Sequence, residues 1–390
     1  MVDAPLSRRA LLRITLDLLA AELSASRGRS AAELGRSRWG EETRLDAAGL
    51  DLDSLERMDA AAALNEFFHL HEYGAEDYLL ALPSVGGWCD LVEQSLAGTG
   101  GRLTFRTSGS TGEPKRCTHA LADLRAEAAG WARRFGDVAQ VVALAPAHHI
   151  YGAIFTALLP DALGAECVYG AEAVRRAPPG ALVIGTPTHW GYLARSLLAF
   201  PEGMVGVTST APMPSQLAHR LRGQRLAKLV EVYGSSETGG VGAREREDAA
   251  YSLLPGWAFG VGGALERTLA DGSRMALDAP DHLRALDGRR FVVEGRRDGA
   301  VQVGGVNVFP ARVRDALLAH AGVAEAAVRL EAGTGRLKAF VVPTAGADAE
   351  GLAGELDRWC GDRLASVERP RRFAVGGALP VNAMGKLTDW

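Results

Sequence analysis

The chain has 390 residues, 47% hydrophobic and 23% charged, with 43 Lys/Arg against 47 Asp/Glu and a formal net charge of −4. That composition is ordinary for a soluble globular protein of two or three domains, and a pI near 6.2 without a basic stripe excludes a nucleic-acid footprint. The four cysteines (Cys89, Cys117, Cys167 and Cys360) form no Cys-x-x-Cys pair, which argues against a disulfide framework or zinc site and fits a reducing, cytoplasmic setting.

In chain order, residues 6–24 read as an amphipathic helix, because Arg13, Asp17 and Glu22 interrupt what would otherwise imitate a secretory signal. No apolar run is long enough to span a membrane. Residues 49–68 follow with Leu55, Met58, Ala61, Leu64 and Phe68 at helical spacing, and 82–96 give a further helix. "LAGTGG" (96–101) reads as a linker. Charge also changes there: residues 1–100 hold 17 acidic and 9 basic residues, a net −8, which leaves +4 for the remainder. From 102 to about 296, apolar runs at 140–146, 181–187, 203–209 and 228–234 alternate with helix patterns such as 119–136 and 187–200. This predicts an α/β core with a largely parallel sheet. Residues 297–390 read as a compact α+β domain: a short strand, a helix from Pro310, two strands over 323–343 and a helix over 351–364.

Six consecutive small residues, Thr107-Ser108-Gly109-Ser110-Thr111-Gly112, follow a strand and lead to Glu-Pro-Lys115. Glycines admit a ligand close to the backbone, and free N–H and hydroxyl groups suit anionic oxygens, so the loop reads as a phosphate cradle. It is not a Walker A loop, since Lys115 follows Pro114 and no Gly-Lys-Ser/Thr ending is present. The structural alternative is a polar surface turn.

Further motifs come in a fixed order: "PAHHIYG" (146–152), "TSTAPMP" (208–214), "VYGSSETGG" (232–240), "GRRDGAVQVGGVNVFP" (295–310) and "LPVNAMGKL" (379–387). With the phosphate loop they resemble the acyl-adenylate-forming family of acyl- and aryl-CoA ligases, peptide-synthetase adenylation domains and luciferases, over residues 102–390. The resemblance implies ATP and Mg²⁺ as cofactors. It places Thr107, Ser108, Ser110, Thr111 and Lys115 on the departing phosphates, with Gly109 and Gly112 shaping the cradle. It makes Glu237 a magnesium ligand, puts Ser236 on the α-phosphate, sets Tyr233 near adenine, and counts Gly234, Thr210 and Ala211 among the ATP/AMP-binding residues. Asp281 falls where the family's ribose-binding Asp belongs, although Ala279-Pro280 replaces the usual Thr-Gly. Arg296 would touch nucleotide oxygens, and Arg297-Asp298 would be the hinge of a mobile C-terminal domain. Gly304-Gly305 would line the tunnel for a phosphopantetheine thiol. Lys386 would bridge carboxylate and α-phosphate, a task suited to a compact ammonium. His149 matches the acyl-pocket histidine, with Thr210 and Trp190 as further lining candidates, though a Trp is usually core. Where the family has Glu-x-Glu, Arg312-Val313-Arg314 stands, either facing an acidic partner or lying on a solvated helix face.

The family normally carries more adenylation-domain sequence before its phosphate loop. Here residues 1–98 resemble instead an all-α acyl-carrier four-helix bundle, with Ser54 as the candidate phosphopantetheine attachment site. The structural alternative is a capping box, Asp53 with Glu56, that leaves Ser54 an ordinary first-turn residue. The implied function is an ATP-dependent ligase that forms an acyl-AMP and transfers the acyl group to phosphopantetheine, on its own or a separate carrier protein or on CoA. An aryl or hydroxybenzoic acid is the expected substrate, with a fatty acid as competitor. The alternatives are a stand-alone CoA ligase with a structural N-terminal bundle, and a non-catalytic nucleotide-binding module.

Overall fold

The structure, a computed structural model, describes residues 6–97, 101–107, 115–245, 249–297, 299–331, 333–380 and 387–390, with the side chain of Thr107 excepted. Among the described residues the chain forms two units. The larger holds the N-terminal helices with most of the α/β core, and the smaller holds 280–283 and 293 onward.

Helix α1 (Arg8–Arg27) is capped by Ser7, whose side chain accepts from the Ala10 N–H, and ends at Gly28 in the left-handed region. It is buried on most of its circumference, at Leu11, Ile14, Thr15, Leu16, Asp17, Leu18 and Leu19. A helix enclosed all round belongs to a core, not to a surface bundle. Helix α2 (Ser54–Phe68) starts at the expected capping box, Asp53 with Glu56, and α3 (Val85–Leu96) is capped by Ser84. Ala61, Leu64 and Phe68 of the predicted stripe are buried, whereas Leu55 and Met58 are exposed.

These helices pack directly on the first two strands of the core. Strands β1 (Arg102–Thr107) and β2 (Lys115–Ala120) pair antiparallel, Thr107 opposite Lys115, and frame residues 108–114. Helix α2 clamps that hairpin: Glu66 accepts from Arg106 and Arg116, Phe67 meets Phe105 edge-on at 5.2 Å, and His69 bonds Thr104 at 2.8 Å. The described residues of the expected 1–98 domain cluster with the α/β core in one unit. A shared apolar interface and ion pairs make three helices and their 3₁₀ turns part of the larger unit.

Helix α4 (Leu121–Phe135) precedes β3 (Gln140–Ala143), β4 (Glu166–Tyr169), β5 (Leu182–Gly185), β6 (Val205–Thr208) and β7 (Lys228–Ser235). These lie parallel in the order β4-β3-β5-β6-β7. Both faces are covered, so the strands read as short continuous apolar runs. On one face Val142, Val183, Trp190, Leu193, Met204 and Leu221 form a core. The sheet continues antiparallel through β8 (Gly239–Arg244) and β9 (Tyr251–Leu253). A three-stranded sheet comes next, β10 (Trp257–Phe259), β11 (Leu265–Thr268) and β12 (Arg274–Leu277). Hairpin β13 (Asp281–Ala285) and β14 (Arg290–Arg296) completes the nine-stranded order, Phe291 facing Tyr251, and carries the chain into the smaller unit.

The smaller unit is the expected α+β domain. Its hairpin β15 (Val301–Val303) and β16 (Val306–Val308) leads to the helix Pro310–Leu318. Strands β17 (Val323–Glu331), β18 (Arg336–Pro343) and β19 (Arg372–Val375) form one sheet, with the helix Leu352–Arg363 before the last strand. Val303, Val313, Leu317, Leu337, Val341 and Leu356 fill its core. No helix among the described residues is long and apolar enough to cross a membrane.

Candidate active site

The antiparallel return from β7 to β8 makes the turn that carries "SSET". Thr238 is buried and bonds the Ser235 N–H and hydroxyl, each at 3.1 Å, so the turn closes on itself. His119 of β2 donates from Nε2 to the Ser236 carbonyl at 2.6 Å. Burial pushes that imidazole below its ordinary value, with Arg267 adding to the effect against the bond to Ser236. Lys115, the residue that re-enters after the phosphate loop, donates Nζ to Glu237 at 2.8 Å. Burial works to raise the Glu237 carboxyl, but hydrogen bonds from Lys115 and the turn outweigh it and hold it below the usual carboxylate range. The structure thus brings Lys115, Ser236 and Glu237 together: an ionised acid beside an exposed ammonium.

Tyr233 lies edge-on to Phe291 at 5.5 Å and near Tyr251, with Gly234 beside it in β7. Thr210 follows β6 with φ at 75°, an unusual backbone for a side chain with a branched Cβ, and Ala211 is next to it. The His148 and His149 rings are 4.2 Å apart. Desolvation, with His148 adding like charge, pushes His149 down to about 3, so its imidazole is neutral at physiological pH. Loop 146–149 is tied to α1: Asp17 Oδ2 accepts the Ala147 N–H at 2.7 Å while Oδ1 pairs with Arg36 at 2.7 Å, all three buried.

Trp190 is not a lining residue. It is fully buried in the sheet core and donates to the Val207 carbonyl at 3.2 Å, so its size serves packing. In the smaller unit, Asp281 is buried at the start of β13, and Arg297 donates its N–H to Pro280 at 2.9 Å and its Nε to the Asp281 carbonyl at 3.3 Å. Arg296 ends β14. Gly304 and Gly305 have φ of 61° and 86°, the two left-handed positions that a two-residue hairpin turn demands, so the turn alone accounts for them. Arg312 pairs with Glu368 at 3.2 Å and Arg314 with Asp315 at 2.8 Å, which answers the charge expected there from within the unit. Ser108 to Gly112, Asp298 and Lys386 lie outside the described residues. The residues after Lys386 are anchored: Arg329 donates to the Leu387 and Thr388 carbonyls at 2.8 and 2.9 Å, and Lys338 pairs with Asp389.

Sequence reasoning missed two residues behind the turn, Glu127 on α4 and Arg267 on β11. Glu127 Oε1 accepts the Gly240 N–H at 3.0 Å and Arg267 Nη1 donates to the Thr238 carbonyl at 2.9 Å. Burial raises the Glu127 carboxyl to about 7 even with Arg267 beside it. The one local signal was a Glu within an otherwise apolar stripe of α4, at the spacing of Leu124, Ala128 and Trp131.

An α/β core with a parallel sheet, an acid-bearing turn beside a lysine after a Ser/Gly loop, and a small α+β unit define the adenylate-forming class. The AMP-binding enzyme family matches residues 105–261 and its C-terminal domain matches 313–386. A 4-coumarate–CoA ligase of Rhodobacter capsulatus is 42% identical over 97% of this chain and 99% of its own. One of Halorhodospira halophila is 39% identical over 97% and 98%. Among solved structures, an o-succinylbenzoate CoA synthetase of Bacillus subtilis matches the fold with a TM-score of 0.58 at 22% identity, over 73% of this chain and 67% of that one. The chain belongs to the AMP-binding enzyme family and is an AMP-forming acid–thiol ligase.

Proposed function

We propose that the protein activates an aromatic carboxylic acid as its acyl-AMP and passes the acyl group to the thiol of coenzyme A. The observation that carries this reading is the 42% identity to a 4-coumarate–CoA ligase along nearly the whole chain, α1 to α3 included. It moves the favoured substrate from a hydroxybenzoate to a hydroxycinnamate. It also favours a structural role for the N-terminal helices.

Attack of a carboxylate on the α-phosphate of ATP is helped mainly by positioning and by stabilising charge. Lys115 would exchange Glu237 for the departing phosphates, together with Thr107, Ser108, Ser110 and Thr111. Glu237 would hold Mg²⁺, which neutralises phosphate oxygens when bound, and its ionised carboxylate fits that hard cation. Ser236 would contact the α-phosphate. Tyr233 would face the base, with Gly234, Thr210 and Ala211 on the nucleotide, Asp281 on the ribose hydroxyls and Arg296 on the nucleotide oxygens. Lys386 would bridge carboxylate and α-phosphate, carried by the smaller unit as it turns at Arg297-Asp298. Gly304-Gly305 would then admit the thiol arm. A neutral His149 would face the acyl group without repelling or protonating it.

Exchange of labelled pyrophosphate into ATP, driven by a panel of cinnamic, benzoic and fatty acids, tests the activation step. Assay of the CoA thioester tests the acceptor. No exchange with any acid of the panel would remove the ligase reading, and exchange without a CoA thioester would move the acceptor to a carrier protein. One observation favours a second reading, loading of the chain's own arm. Ser54 stands exposed at the first residue of α2, with Leu55 and Met58 66% and 55% exposed beside it, an accessible apolar face for a modifying enzyme.

A further inference from the structure

The turn bearing Glu237 is held from behind by two charged side chains that the proposed chemistry does not use. Arg267 and Glu127 have side chains 9% and 6% exposed and approach each other at 3.5 Å. Arg267 binds the Thr238 carbonyl on one side and the Asp123 carbonyl on the other, at 2.9 and 3.4 Å, and lies over the Trp257 ring. Glu127 takes the Gly240 N–H. The peptide groups one and three residues beyond Glu237 are therefore fixed by a buried ion pair reaching in from α4 and β11.

The sequence of the turn is shaped to receive this pair. A Cβ at Gly239 would stand 2.8 Å from Glu127 Oε2 and 3.4 Å from Arg267 Nη1, and a Cβ at Gly240 would run into Glu127 Oε1. A side chain at either position would push the carboxylate off its place, and Gly239 has a φ of 69°, in the left-handed region that favours glycine. A buried ion pair is a poor source of stability, since apolar residues of equal volume would serve as well. What it supplies is direction: a planar guanidinium and a carboxylate fix two peptide groups at set angles. The pair also forms the wall of a cleft of 460 Å³ lined by Asp123, Trp131, Leu254 and Trp257, so shortening either side chain opens onto that cleft and leaves no sealed void.

We propose that Glu127 and Arg267 are positioning residues that set the orientation of the Ser236–Thr238 turn, and through it the reach of Glu237 toward Mg–ATP. This rests on the reading of Glu237 as the metal-holding acid. Residues that orient a metal ligand typically change affinity or activity about 10- to 100-fold when removed. Arg267→Ala and Glu127→Ala are therefore expected to weaken binding of a non-hydrolysable Mg–ATP analogue, measured calorimetrically, and to raise KM for ATP by about that factor. KM for the acid should stay within about twofold, because the acyl side of the site is not held by this pair. Glu127→Gln keeps an acceptor for the Gly240 N–H and should restore most of the affinity. Arg267→Lys cannot span both carbonyls and should not. The double alanine variant should be no worse than the poorer single one, as for two parts of one clamp.

Unchanged analogue affinity in either alanine variant would overturn the proposal, and so would equal rises in KM for ATP and for the acid. If the alanine variants do not fold, Glu127→Gln and Arg267→Lys decide alone. Wild-type affinity in Arg267→Lys, or equal losses in both, would overturn it. Absence of acid-dependent exchange in the wild type would instead sink the ligase reading, a result the analogue titration keeps separate.

Discussion

Replacing Asp17 by Ala tests whether the N-terminal helices are a component of the ligase core. Asp17 is 3% exposed and Arg36 is 4% exposed, and the carboxylate serves both the guanidinium and the Ala147 N–H. Removing it strands a buried arginine, which costs about 3–5 kcal/mol where one partner of a buried pair is lost. A stranded buried N–H adds about 1–3 kcal/mol. Arg36 keeps its stacking on the Tyr169 ring, 5.2 Å away, and water entering the gap relieves part of both losses. Taking the lower part of each range gives roughly 4 kcal/mol, or about 10 °C in Tm for a unit of this size. The assay is thermal and urea unfolding followed by tryptophan fluorescence, which reports the core through Trp131 and Trp190, both buried there. Asp17→Ala with Arg36→Met should recover much of the loss, since no unpaired charge remains. The loop that carries His149 should also loosen and raise KM for the acid. A core transition that stays put while a separate early transition moves would refute the reasoning, because residues 1–98 would then fold as their own domain.

Lys386→Ala should reduce acyl-AMP formation by about 100-fold or more while ATP binding persists, the scale of losing one preorganised charge; near-normal exchange rates would remove that role. Co-expression with a broad-specificity phosphopantetheinyl transferase should leave the intact mass unchanged under the CoA reading, and Ser54→Ala should leave thioester yield unchanged; a mass gain of one arm would install the second reading. Lys338→Met with Arg329→Met should free the anchored tail, which Lys338 holds through Asp389 and the Trp390 carbonyl at 2.9 Å and Arg329 through the Leu387 and Thr388 carbonyls, and lower kcat for adenylation by about tenfold. An unchanged kcat would show that this anchor does not matter to the chemistry. Glu66 is held at about 2, first by its hydrogen bond from Arg106 and then by Arg116, against an ordinary value of 4.5. Between those values the unfolded chain binds the proton and the folded chain does not. Its stabilisation is thus complete above about 4.5 and lost as pH falls toward 2, and Glu66→Gln should flatten acid unfolding in that window.

How much the sequence made legible depends on how local each signal is. The parallel strands appear where apolar runs predicted them, 228–235 against 228–234 and 182–185 against 181–187, because strands covered on both faces declare themselves without partners. Helices with one wet face, such as Leu121–Phe135 and Leu352–Arg363, match their predicted ranges within two residues. The glycine-rich antiparallel strands after the turn were not legible, since Gly239 to Gly242 carry little side-chain pattern and owe their place to neighbours.

The N-terminal helix shows the same limit more sharply. Its Arg and Asp residues suggest a wet face, and an acidic segment with Asp-Ser-Leu at a helix start resembles a carrier domain. Yet the face that carries Asp17 is buried, because partners 19 and 130 residues away answer its charge. Glu127 tells the same story across 113 residues to Gly240. In both cases a charge sits inside a helix's apolar stripe, where a lone carboxylate would be too costly to bury without partners. Such a misfit marks a contact to a distant segment, and in this chain both contacts end on loops that the proposed chemistry uses, one on the His149 loop and one on the Glu237 turn. Buried acids on otherwise apolar helix stripes are thus the local trace of the scaffold that orients this site.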